Sequence, residues 1–140
     1  MRIRKDSRIR VGISACLLGQ EVRYDGGLVF RDTRGDITDR INAWSRRRLE
    51  QLETLDLCGY VLKSRSPSCG MRRVKVFRAG APRRPSRRGV GLFARALIER
   101  FPLLPVEEEG RLHERAARDS FVERVLSYRR RRDRRLRNRA

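Results

Sequence analysis

The order of the short apolar segments is the feature that most limits how this chain can fold. Strand-like segments at residues 9–14, 60–64 and 103–110 alternate with helix-like segments at 38–55 and 89–101, and a third helix is predicted from residue 113. This alternation favours a small three-layer α/β domain with a parallel, Rossmann-like sheet. A short additional strand is predicted at 73–80, and the Pro-rich stretch at 81–89 is predicted to be a loop.

The helical segments carry apolar residues at helical spacing. In the first helix, Thr38 is a good N-cap, and Trp44 is predicted to lie in the core with Ile41. The last helix can dock through Phe121 and Val125, and its basic end is predicted to fray. We therefore expect an α/β domain over residues 1–112 and a C-terminal helix with an Arg-rich tail over residues 113–140.

The charge is strongly positive. Among 140 residues, 36 are basic and 17 acidic, which gives a net charge of +19, and the last twelve residues hold eight arginines and one aspartate. Such a surface attracts polyanions, so RNA is one expected non-specific binding partner. The alternative is that the charge reflects only a compositional bias toward arginine. No apolar run approaches the ~20 residues that cross a bilayer, and we expect a cytoplasmic protein without a membrane partner.

Two of the three cysteines follow predicted strands. Cys16 lies after the first strand, and Cys69 lies in a Ser-Pro-Ser-Cys-Gly turn after the second, which its composition predicts to be exposed. If these two strands are neighbours in the parallel sheet, their carboxyl ends meet and both thiols lie at one edge. Glycines, hydroxyls and backbone N–H groups suit a thiolate that holds an inorganic ligand, whereas the alternative is a small apolar filler.

Cys58 is expected at the opposite edge. It precedes the second strand while Cys69 follows it, so the strand separates the two by roughly 17–20 Å. We predict that Cys58 is buried and that Cys58 and Cys69 do not bind the same cluster.

Lys63 and Arg65 flank the Cys69 turn. They could contact a substrate or its phosphate, or they could simply belong to the general excess of arginine and lysine.

Three stretches together resemble a known family. They are VGISACLLGQEVRYDGG, GYVLKSRSPSCG and GVGLFARALIERFPLLPVEEEGRL, and they are similar to the family catalogued as domain of unknown function 523. Some members of that family resemble thiouracil desulfidases. The resemblance covers residues 9–30 and about 42–128.

The resemblance implies an iron–sulfur enzyme. A [4Fe–4S] cluster would be held by three cysteines, and its open iron would take the sulfur of a thiolated pyrimidine, which leaves as sulfide while water supplies the replacing oxygen. By motif position, Cys16 and Cys69 match two of the cluster ligands, and Ser66 matches a catalytic hydroxyl near the substrate. A thiolated nucleobase is thus the expected small-molecule partner.

The chain departs from the family pattern at one point. Family members carry a segment before the first long helix in which a Cys-Pro-Glu motif supplies the third cysteine, and this sequence contains no Cys-Pro-Glu. The predicted domain is therefore internally shortened. Two alternatives to an active desulfidase stay open, an inactive family member with an internal deletion and a basic nucleic-acid-binding module.

Overall fold

The computed structural model describes residues 8–14, 38–66, 68–78 and 81–139. The elements in chain order are β1 (Val11–Ile13), α1 (Thr38–Glu53), β2 (Gly59–Leu62), β3 (Val74–Arg78), β4 (Ala81–Gly89), α2 (Leu92–Arg100), β5 (Val106–Glu108), a 3-10 helix (Glu109–His113) and α3 (Arg115–Arg139). The predicted strands and helices are present, most of them shorter than predicted.

The central sheet is parallel and has the order β1-β2-β5 in the described part of the chain. Gly12 pairs with Tyr60, and Tyr60 pairs with Val106, so β2 lies between the other two strands. All four residues of β2 are buried, as expected of a central parallel strand that is covered on both faces. The predicted α/β class is confirmed. The first two strands are neighbours, which is the condition for bringing the ends that precede Cys16 and Cys69 to one edge.

Helices cover both faces of β2. On one face, Tyr60 and Leu62 pack with side chains from α1 and α2, among them Leu52 and Phe93. On the other face, Val61 packs with Cys58 and with residues Phe121 and Val125 of α3. Because successive strand residues point to opposite faces, this alternation produces three layers, with a helix layer on each side of the sheet.

Trp44 lies at the rim of the first of these clusters rather than inside it. Its ring packs against Phe93 with centroids 5.3 Å apart, while 36% of the residue stays exposed. Leu49 and Leu52 are the residues of α1 that enter the core. The side chain of Thr38, the predicted N-cap, lies outside the described part of the chain.

The prediction of a loop at residues 81–89 is wrong. This segment forms β4, which pairs antiparallel with β3 from Val74–Gly89 to Arg78–Ala81. The two prolines in β4 lack an amide N–H, but they lie in a two-stranded sheet whose register shifts twice, and edge strands and bulges accommodate such residues. The prolines and charged residues of this segment are typical of a loop, whereas its strand conformation depends on hydrogen bonds to β3.

Helix α3 is continuous to Arg139, so the fraying predicted for its basic end is not observed. Arg129 bonds Asp133 at 2.9 Å, and Arg132 bonds Asp56, in the turn after α1, at 2.9 Å. Phe121 and Val125 are buried against the sheet, as predicted.

The division of the chain into a domain over residues 1–112 and a C-terminal helix over 113–140 stays a prediction. No helix within the described ranges is long and apolar enough to cross a bilayer.

The N-terminal end of α2 packs directly on the turn that contains Cys69. A Cβ atom at Gly91 would come within 2.4 Å of the backbone carbon and oxygen of Ser68. Since backbone atoms cannot move aside as a side chain can, Gly91→Ala is expected to destabilise the fold by roughly 1–3 kcal/mol. Urea unfolding followed by circular dichroism measures this, with Arg95→Ala in the exposed part of α2 as control. Equal stability of the two variants would contradict the packing described.

Candidate functional site

The carboxyl ends of the three parallel strands form one edge of the sheet. Ser14 follows β1 and donates its N–H to the carbonyl oxygen of Val61 at 2.9 Å. Its hydroxyl oxygen accepts from the backbone N–H of Lys63 at 3.3 Å, just after β2. Glu109 follows β5 at the same edge. Polar groups from three separate segments therefore meet where ligands bind in parallel sheets.

Residues 63–72, here called the site loop, contain the predicted catalytic Ser66. Its carbonyl oxygen accepts from the N–H of Gly70 at 2.7 Å, and its hydroxyl oxygen accepts from the N–H of Cys69 at 3.2 Å. The hydroxyls of Ser66 and Ser68 lie 3.1 Å apart. Ser66 thus builds the turn that positions Cys69, and it is half-buried.

The expectation that Cys69 lies at an exposed turn is wrong, because the residue is 6% exposed and belongs to the core cluster of α1 and α2. Two backbone bonds tie the turn to α2. Ala94 donates to the carbonyl oxygen of Ser68 at 3.0 Å, and Gly91 donates to that of Gly70 at 2.7 Å. The Ser68 hydroxyl donates to the Cys69 sulfur at 3.6 Å.

Three consecutive glutamates, Glu107 to Glu109, hold the site loop from the β5 side. They lie within the strand predicted at 103–110 but were not predicted to be site residues. Glu107 and Glu108 are only 4% and 7% exposed. One oxygen of Glu108 accepts from the backbone N–H groups of Met71 and Arg72, both at 2.8 Å. The signal in the sequence was three consecutive acidic residues at the end of a predicted strand, in a chain of net charge +19.

Glu107 connects the site loop to α3. Its carboxylate binds Arg72 of the loop at 3.3 Å and Arg124 of α3 at 3.2 Å, and Arg111 lies 3.8 Å away. A buried carboxylate requires such partners because desolvating an unpaired charge is costly. One carboxylate therefore joins three segments of the chain.

Glu109 holds the beginning of the loop. It accepts from the N–H and hydroxyl of Ser64 at 2.6 and 2.7 Å, and from the Lys63 ammonium at 2.8 Å. Partial burial acts to raise the pKa of the Glu109 carboxyl, but the bonds from Lys63 and Ser64 outweigh burial and lower the pKa to about 2. Glu109 is therefore ionised at neutral pH.

The two predicted substrate contacts, Lys63 and Arg65, lie in different settings. Lys63 is paired with Glu109, whereas Arg65 is exposed and has a backbone φ of 58°. Arg73, at the other end of the loop, has a φ of 56°. Left-handed backbone is uncommon for residues other than glycine, so the surrounding bonds fix the path of the loop.

The described residues bring one cysteine to this edge. Cys58 is fully buried in the cluster on the α3 face, as predicted, and is separated from Cys69 by β2. Cys16 lies outside the described residues. No group of three or more His, Cys, Asp or Glu side chains suited to a metal ion occurs in the part of the chain that the structure describes. That part alone therefore does not fit a three-cysteine cluster, although the free thiol of Cys69 suits one ligand position.

Comparison with protein families gives a match to a family model described as 2-thiouracil desulfurase, over residues 27–109. The chain belongs to the 2-thiouracil desulfurase family. The matched range contains β2, the site loop, α2 and all three glutamates after Val106, while α3 follows it. The family's name suggests desulfurase-like function. Searches of curated proteins and of solved structures gave no match.

The low pKa of Glu109 predicts a dependence of stability on acid pH. Because the folded pKa lies near 2 and the ordinary value is 4.5, the charged carboxylate stabilises the fold fully above pH 4.5, and this contribution is lost as the pH falls toward 2. Glu109→Gln should thus lower the free energy of unfolding at pH 6, on the order of 1 kcal/mol. The difference from the parent protein should disappear near pH 2.

Urea unfolding at several pH values measures this difference. Glu99→Gln, the same chemical change at an exposed position of α2, is the control. A Glu109→Gln effect that is equal at pH 6 and pH 2 would contradict a role for the carboxylate charge.

Proposed function

We propose that this chain removes sulfur from a thiolated pyrimidine by hydrolysis. In that reaction the C=S bond is replaced by C=O, water supplies the oxygen, and the sulfur leaves as hydrogen sulfide, so no oxidant or reductant is consumed. The observation that carries the proposal is the position of the site loop, which contains Ser66 and Cys69. It lies at the carboxyl edge of a parallel sheet and within the matched family range.

The proposed cofactor is a [4Fe–4S] cluster with Cys69 as one ligand and Cys16 as a second. When bound, such a cluster supplies a thiophilic Lewis-acidic iron. The described residues offer it the Cys69 thiol, which a hydroxyl of Ser68 already orients. The remaining ligands must come from residues outside the described ranges or from a second chain.

The residues of the site loop would orient the substrate. The Ser68 hydroxyl donates to the Cys69 sulfur, so in the bond between the two serines the Ser66 hydroxyl is the donor. The Ser66 proton can turn from Ser68 to a nucleobase oxygen or nitrogen. Arg65, exposed at the same loop, can contact a phosphate on the substrate. Lys63 is the weaker candidate, because its ammonium is bound to Glu109.

Anaerobic reconstitution with iron and sulfide tests the proposal. About four iron and four sulfide per chain are expected for a complete cluster. The content should fall to background in Cys69→Ala and in Cys16→Ala. Cys58→Ala removes a thiol from the opposite face and is the matched control, which should keep its iron. Formation of uracil and sulfide from 2-thiouracil should follow the iron content across the four proteins.

Two other outcomes have a definite meaning. About four iron per two chains would indicate a cluster shared between copies. Iron that none of the substitutions changes would be adventitious, and would favour the alternative of an inactive family member with an internal deletion. Uracil formation by a preparation without iron would separate the activity from the cluster.

A further inference from the structure

Helix α3 presents a basic surface that the proposed reaction does not use. Arg124, Arg131 and Arg134 follow one another at spacings of seven and three residues, which places them on one side of the helix. This surface, here called the arginine face, surrounds a shallow cleft of about 420 Å³ lined by Glu123, Arg124, Ser127, Arg130, Arg131 and Arg134. The lining therefore contains four arginines and one glutamate, and its net charge is positive.

The opposite side of α3 is fixed to the rest of the molecule. Arg129 donates to the backbone carbonyl of Arg8 at 3.1 Å, and Arg132 donates to that of Asp56 at 2.8 Å. These contacts orient the helix, and they leave Arg131 and Arg134 exposed on the other side. The helix that carries the arginine face is thus held in one orientation relative to the sheet.

The arginine face is continuous with the site edge. Arg124, which lines the cleft, binds the same Glu107 carboxylate as Arg72 of the site loop. A polyanion that lies along α3 would therefore run toward the loop that contains Cys69. Arginine guanidinium groups at helical spacing match phosphate oxygens, which accept two parallel hydrogen bonds from one arginine.

We propose that the arginine face binds the phosphate backbone of single-stranded RNA. This rests on the proposed function, because a thiolated uracil is a base of RNA, and chemistry on a base requires that it is not stacked in a duplex. A single strand can lie with its phosphates on α3 while one base turns to the site loop. The substrate class would then include thiolated uracil within RNA as well as the free base.

Fluorescence anisotropy with a labelled twelve-nucleotide oligouridylate measures the binding over a range of salt concentrations. The double variant Arg131→Gln, Arg134→Gln removes two cations from the arginine face and keeps good helix formers. The matched control is Arg46→Gln, Arg47→Gln, which removes the same charge from exposed positions of α1. Circular dichroism verifies that both variants keep their helices.

The face variant should bind at least about fivefold more weakly at low salt, and its slope of log affinity against log salt should be smaller by about 1.4, as for two lost phosphate contacts on a single strand. The control should change affinity less than twofold. Equal weakening in both variants would mean that only net charge matters, and no weakening in either would mean that α3 is not the contact. Both results overturn the proposal.

The nucleic acid is varied in the same assay. The oligouridylate should bind more tightly than an RNA duplex of equal length and at least as tightly as oligothymidylate. Tighter binding of the duplex or of oligothymidylate overturns the assignment to single-stranded RNA. Placing one 2-thiouridine in the strand should add affinity only if the proposed function holds, so failure of that function is distinguished from failure of RNA binding.

Discussion

Three carboxylates at the end of β5 hold the loop on which the candidate site depends. Glu108 binds two backbone N–H groups of the loop, Glu109 binds its beginning, and Glu107 binds arginines on both sides. Without these acceptors, the backbone N–H groups of Ser64, Met71 and Arg72 would lose their partners and the loop would lose its attachment to β5. The arginine excess of the chain makes such burial feasible, because cations are available on several segments around Glu107.

The second support of the loop is the start of α2. Gly91 and Ala94 donate to loop carbonyls, and the absence of a side chain at Gly91 lets the two backbones touch. Together with the glutamates, this packing places Cys69 in the core instead of on the surface. A thiol held in this way has little exposed area and a fixed position relative to the site loop.

The sheet and its helices could be predicted from the sequence because their signals are local. Period-two and helical spacing are visible within each segment, and the order of the segments fixes a parallel sheet. The errors concern features that depend on contacts with other segments of the chain. Glu107 is buried because Arg72 lies 35 residues before it and Arg124 lies 17 residues after it. Likewise, β4 exists because β3 pairs with it, which the Pro-rich composition of residues 81–89 does not reveal.

The shared partners of Glu107 also bear on how α3 relates to the site. The family match ends at Glu109, yet a carboxylate within the matched range takes one of its close bonds from Arg124 of α3. If an RNA phosphate competes for Arg124, the Glu107 carboxylate loses one ion-pair partner, and the strength of its ion pair with Arg72 changes. Binding along α3 would then change the ion pair of Arg72 in the site loop through the shared Glu107 carboxylate, without any movement of the sheet.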